Sequence, residues 1–242
     1  NKVMGEYLSR VQKLMPLCLT SLSGGSKDNA IPRSCQATVV AMGIGIERIN
    51  GIADALQQEI REKYDEPDAL VQAFDVDALG GNSLTTAATA DVISLLCAAP
   101  NGVQSYSADI PGLVQTSLNL GVCHLGDQFT ATFSVRSSVN REKEELLQQL
   151  RDLTAFYKGT YSQAGTYPAW EYRKDSPLRD TMVRVYQQMF GKDPQVLAIH
   201  AGLECGLLGD KLPGLDCVSI GPQMHDIHTS RERLDIASVA RT

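Results

Sequence analysis

The sequence predicts an α/β protein whose longer, N-terminal part is one small unit used twice. Three observations carry this. Apolar residues recur at helical spacing over 47–64 and 140–157, whereas the stretches before each helix alternate as half-buried strands do. The order helix, strand, strand, helix then occurs twice in succession, and "TSL" falls inside the first strand of each copy, at 20–22 and 116–118. Beyond "GTYSQAGTYPAW" the pattern changes to short, nearly all-apolar runs.

Taken in order, residues 2–14 form an amphipathic helix stopped by Pro16. Residues 17–25 and 34–42 read as strands around the loop "SKDNAIPR", and 47–64 as the helix that closes the first unit. The second unit begins with a helix over 84–99, ended by Pro100-Asn101-Gly102. Strands over 112–125 and 127–138 follow, turning at Gly126-Asp127. Asn140 is a good N-cap for the helix over 140–157. After the polar Gly/Tyr/Pro connection, Ser176 and Pro177 open a helix through Phe190. "QVLAIH" (195–200) and "LDCVSIG" (215–221) read as strands buried on both faces of a sheet, with "GLECGLLGD" a short helix between them. Two such strands cannot make a doubly covered sheet. That expectation, with a start at Asn1 and a stop at "ASVART", suggests a piece of a longer chain.

Composition narrows the classes. At 242 residues, with 43% hydrophobic and 21% charged residues, the chain can bury a sizeable core and is too apolar for disorder. A net charge of -6, without a basic stripe interleaved with aromatics, argues against nucleic acid as a partner. No apolar run is long enough for a bilayer, so no membrane partner is expected. The six cysteines show no CxxC and sit mostly in apolar surroundings, which fits reduced thiols and a cytoplasmic location.

Four places could carry chemistry. "GPQMHDIHTSRERL" sets His225 and His228 three apart around Asp226, which could orient an imidazole, although loop histidines are commonly packing or surface groups. "AIHAGLECG" places His200 at a strand end, with Gly202 and Gly206 flanking Glu204; small residues there allow a ligand near the backbone, or simply a tight turn. Cys205 as a nucleophile with His200 is a weaker option. In "SKDNAIPR", Asn29 offers an amide and Arg33 a guanidinium fork, against the default of a solvated turn; Arg136 on its strand faces the same choice. A catalytic metal needs three or more protein ligands plus an open position, and no second ligand cluster is evident.

In combination, "DNAIPR", "RSS" at a strand end, "IHAGLECG" and "VSIGPQMHDIHTSRERL", in that order, resemble the C-terminal half of the aminoacyl-histidine dipeptidases, over essentially all 242 residues. These are the cytosolic non-specific, or bacterial carnosinase-type, members of the di-zinc exopeptidase superfamily. The resemblance implies that residues 1–163 are a duplicated lid (dimerisation-type) domain with antiparallel strands. It implies that 164–242 are the C-terminal part of a mixed-sheet zinc-exopeptidase catalytic domain. It further implies His228 as a metal ligand and Asn29, Arg136 and Gly202 as substrate contacts, Arg136 holding the substrate's terminal carboxylate. His225 falls where the family varies. Ser230 stands where the family frequently has proline, which leaves His228 untouched.

The remaining ligands of two zinc ions (cobalt or manganese would also suit) and the general-base glutamate are implied upstream, so no catalytic residue is assigned within this chain. The expected activity is hydrolysis of Xaa-His and other dipeptides by metal-activated water, with this chain alone inactive and a homodimer allowed. From a different class comes the alternative of a stand-alone, lid-derived binding or dimerisation module, since exposed strand edges favour self-association.

Overall fold

The structure is a computed structural model that describes all residues except 42, 44, 77–81, 199–202 and 228. Its largest unit is a two-layer arrangement: a five-stranded antiparallel sheet with four helices packed on one face.

The first copy of the repeat comprises α1 (Lys2–Gln12), β1 (Leu17–Gly24), β2 (Cys35–Ala41) and α2 (Ile46–Tyr64). The second comprises α3 (Thr86–Ala98), β3 (Gly102–Tyr106), β4 (Val114–Leu125), β5 (Phe129–Ser137) and α4 (Asn140–Phe156). All the elements expected here form, with boundaries moved by a few residues, and β3 is an addition. It escapes the pattern because it is five residues long and only Gly102 and Ser105 are even half-buried.

β1 pairs with β2, and β4 with β5 along nearly its whole length. The copies join through a short seam, Leu22–Gly24 against Cys123–Leu125. β3 pairs with Gly102 opposite Leu118 and Tyr106 opposite Val114, so β1 and β3 share one edge of β4 while β5 takes the other. Between them, at Leu120, two side chains replace the missing strand. Asn101 Oδ1 accepts from the Leu120 N–H at 2.8 Å, and Asn1 Nδ2 donates to the Leu120 carbonyl at 2.9 Å. Satisfying these groups is required because an unpaired buried backbone group costs ~1–3 kcal/mol.

The core lies between sheet and helices. Leu17, Leu19 and Leu22 of β1 meet Tyr7, Leu8 and Val11 of α1, Leu56 of α2, Ile93 and Leu96 of α3, and Leu120 of β4. α4 covers the far end, setting Leu146 and Leu150 on Leu118. β1 has a register shift between Leu19 and Ser21. There the buried Thr89 Oγ1 of α3 accepts from the Leu19 N–H at 2.9 Å, and the Leu19 carbonyl accepts from the Leu84 N–H at 2.8 Å. Lys2 Nζ reaches across the copies to the carbonyls of Leu96, Cys97 and Ala99, the orphan end of α3.

Residues beyond 163 are more open. α5 (Pro177–Phe190) is capped by the Ser176 hydroxyl, which accepts from the Arg179 N–H, but buries no residue. α6 (Glu204–Lys211) forms where a short helix was expected. β6 (Met224–His225) pairs with β7 (Arg233–Leu234), and α7 (Ile236–Val239) follows. The strands expected over 195–200 and 215–221 are not formed: 195–198 and 215–221 are irregular, and 199–200 fall outside the described residues. The physical reason is that a buried strand needs a neighbour for its ladder, and none lies alongside among the described residues. Val196, Leu197 and Ile220 accordingly stand exposed at 54, 76 and 61%.

Candidate functional site

The polar face of the sheet, opposite the helices, gathers the residues singled out in the first repeat and those singled out in the second. Along β4 the side chains of Leu118 and Leu120 go to the core, which leaves Ser117 and Asn119 on the other face. Along β5, Phe133 and Val135 pack with the helices, which leaves Ser134 and Arg136 on that same polar face. Register puts Arg136 opposite Ser117 and Ser134 opposite Asn119.

The loop between β1 and β2 lies against this face. Asn119 Nδ2 donates to the Asp28 carbonyl at 2.9 Å and to the Ala30 carbonyl at 2.7 Å, so one amide holds both residues that flank Asn29. Gly121 permits the crossing: a β-carbon there would collide with the Asp28 backbone. Gly25, at φ 75°, makes the turn out of β1 against the Gly121 carbonyl. Two residues along a strand span ~7 Å and neighbouring strands lie ~5 Å apart, so the Arg136 backbone is about 8–9 Å from that of Asn119. Asn29 and Arg136 are both exposed. The loop encloses an open concavity of about 450 Å³ whose lining includes Lys27, Ile31, Arg33 and Gln36, with two cationic groups and no acidic one.

The end of β5 is anchored from its inner side. Glu142, in the first turn of α4, accepts from Ser105 Oγ of β3 at 2.5 Å, from Gln115 Nε2 of β4 at 2.5 Å, and from Thr116 Oγ1. Thr116 Oγ1 also bonds Ser137 Oγ at 2.7 Å, next to Arg136. These hydrogen bonds, led by those from Ser105 and Thr116, hold the Glu142 carboxyl below its ordinary pKa.

The C-terminal candidates are placed less completely. His228, Gly202 and His200 lie outside the described residues. His225 is exposed on β6. Asp226, at φ 51°, pairs with Arg233 at 2.9 Å, and its carbonyl accepts from the Thr229 N–H and Oγ1. That ion pair gives one oxygen of the Asp226 carboxylate a cationic partner. Gly206 is buried because its own chain crosses it: a β-carbon would stand 2.8 Å from the Pro168 carbonyl oxygen. Close approach is therefore the reason for glycine, but the approaching group is residues 168–170 rather than a ligand. Glu204 is exposed, and burial pushes the Cys205 thiol up, which opposes a thiolate nucleophile. All six cysteines are free.

Among the described residues, no group of three or more His, Cys, Asp or Glu side chains could hold a metal ion. No described helix is long and apolar enough to cross a membrane.

Sequence reasoning missed Asn119 and Glu142. Asn119 did leave a signal, an amide between two leucines in "SLNLG", two residues before a strand glycine.

No family model matches the sequence. The chain is 31% identical over 241 residues to the cytosol non-specific dipeptidase of Escherichia coli (strain K12), covering 99% of this chain and 50% of that protein. Its structure matches that of the aminoacylhistidine dipeptidase from Vibrio alginolyticus with a TM-score of 0.87 and 27% identity, over 99% of this chain and 49% of the other. The chain thus spans about half the length of the relatives it matches. Both likenesses are to proteins named as dipeptidases, and they support the aminoacyl-histidine or cytosol non-specific dipeptidase family for this chain.

Proposed function

We propose that the chain is part of a cytoplasmic, zinc-dependent dipeptidase acting on Xaa-His and other dipeptides, and that it supplies the substrate clamps rather than the catalytic base. One observation carries this reading: the loop bearing Asn29 and the strand bearing Arg136, from different repeats, lie on one polar sheet face. In this reading residues 1–163 are the lid and 164–242 the last part of the catalytic domain. The Arg136 guanidinium pairs with the substrate's terminal carboxylate, where its planar fork matches two oxygens. The Asn29 amide donates to the scissile carbonyl oxygen as charge develops there. Gly202 gives the substrate backbone room.

The described residues do not themselves form a metal site. In the whole protein His228 would join ligands from outside this chain to hold two zinc ions, which would supply an activated water. A glutamate outside this chain would take the proton from that water. The apolar surface at Val196, Leu197 and Ile220 fits this reading, because strands from elsewhere would cover it.

The test is to express the 242-residue chain and the complete open reading frame that contains it, and to assay both on an Xaa-His dipeptide with and without a chelator. The expected result is hydrolysis by the complete protein, lost on chelation and restored by zinc, and none by the chain alone. Hydrolysis indifferent to chelation overturns the metal mechanism. A frame encoding only this chain, with no hydrolysis, favours the stand-alone binding or dimerisation module instead.

A further inference from the structure

We infer that Asn119 is a positioning residue for Asn29, and that through it the second repeat sets the geometry of the substrate contact carried by the first. The inference rests on the reading of Asn29 given above, but its geometry stands apart from that reading. A ten-residue connection between β1 and β2 would ordinarily move as a surface loop. Here the Asn119 amide donates both its hydrogens, to the carbonyls of Asp28 and Ala30, so the two residues flanking Asn29 are tied to a strand, in addition to the loop's own bond from the Ala30 N–H to the Lys27 carbonyl. Asn29's own N–H bonds locally, to the neighbouring Asp28 Oδ1.

The two-carbonyl grip uses the donor capacity of a primary amide. Aspartate has the same shape and no donors, and would set a carboxylate against two carbonyl oxygens. Asn119 sits on the strand that pairs with β5, two residues along from Ser117, which faces Arg136. One rigid element therefore fixes the spacing between the Asn29 loop and the Arg136 strand. A substrate whose carbonyl and carboxylate must be met at the same time depends on that spacing.

The experiment uses the complete protein for kinetics and the 242-residue chain for a measurement that needs no activity. In N119D and N119A, kcat on an Xaa-His dipeptide is expected to fall about tenfold or more, with KM changed less than about threefold and the zinc requirement unchanged. The double variant N29A/N119A is expected to match N29A alone, because a residue acting only through Asn29 has nothing further to lose. In the chain, trypsin is expected to cut after Lys27 and Arg33 about tenfold faster in N119D than in the unsubstituted protein, at an unchanged Tm.

Multiplicative losses in the double variant, or unaltered kcat in N119D with normal hydrolysis by the unsubstituted protein, overturn the part given to Asn119. Unchanged cleavage at the loop overturns the grip itself. Absence of dipeptide hydrolysis in the unsubstituted complete protein, with faster loop cleavage in N119D, overturns the substrate role of Asn29 and leaves the grip standing.

Discussion

Gly5 of α1 rests on Leu96 of α3 so closely that a β-carbon on Gly5 would stand 2.7 Å from the Leu96 Cβ. The two repeats touch here through their first helices, and the lack of a side chain sets how near those helices come. Alanine in a helix interior is ordinarily favoured over glycine by ~1 kcal/mol. At this position overpacking costs ~1–3 kcal/mol and outweighs that gain. G5A is therefore expected to be destabilised, and G5V more so, in urea unfolding of the chain. A stabilised G5A would show that the helices separate freely.

Thr89 gives a second stability test. Its hydroxyl accepts from the Leu19 N–H where the β1 ladder shifts register. Thr89→Val keeps the shape and leaves that buried donor unmet, at a cost of ~1–3 kcal/mol. Thr89→Ser keeps the acceptor and should lose distinctly less, read as the urea midpoint at constant slope.

Glu142 predicts a pH dependence whose sign follows from its hydrogen bonds. Its folded pKa lies below the ordinary value of 4.5, so its contribution is fully present above that value and is lost as pH falls through the lower folded pKa. Thermal melts from pH 7 down to pH 3 should show E142Q converging on the unsubstituted protein at the acid end. At pH 7 the variant should be less stable by about 1–2 kcal/mol, allowing for partial exposure of the carboxylate. A gap that stays constant with pH would assign the effect to shape rather than charge.

Arg136 is tested by substrate chemistry. In the complete protein, R136A should lower kcat/KM on a free dipeptide about tenfold to a hundredfold, matching ~1.5–3 kcal/mol for a hydrogen bond to a charged group. R136K should recover only part, because a point charge lacks the planar fork. On a dipeptide amide, which lacks the carboxylate, all three proteins should perform alike. A loss of equal size on the amide would remove Arg136 from carboxylate recognition.

The repeat was legible because its units are governed by local rules. Ile49, Ile52, Leu56 and Ile60 mark one helix face, and β4 alternates buried and half-buried positions until its bulge after Leu120. β3 was not legible, because its pairing with β4 and the reach of Ser105 to Glu142 are tertiary facts. The apolar runs at 195–198 and 215–221 show the reverse case. Composition specified strands, but a ladder needs a partner chain segment, and none is supplied by the described residues. Within the site, Asn29 and Arg136 were found as residue types in a recognisable order. Their convergence depends on Asn119 and Gly121, whose importance appears only once β4 is seen crossing beneath the loop.

The seating of the β1–β2 loop on β4 has a consequence for how the two copies of the unit can diverge. One copy presents the loop, and the other has become its anvil. The sheet of the second copy closes its own hairpin with a short turn at 126–128, so the face near Asn119 is left clear for its sibling. Neither copy by itself contains a finished surface. The two units are unequal halves of one tool, and a change in the length of the loop must be answered on a strand about ninety residues away.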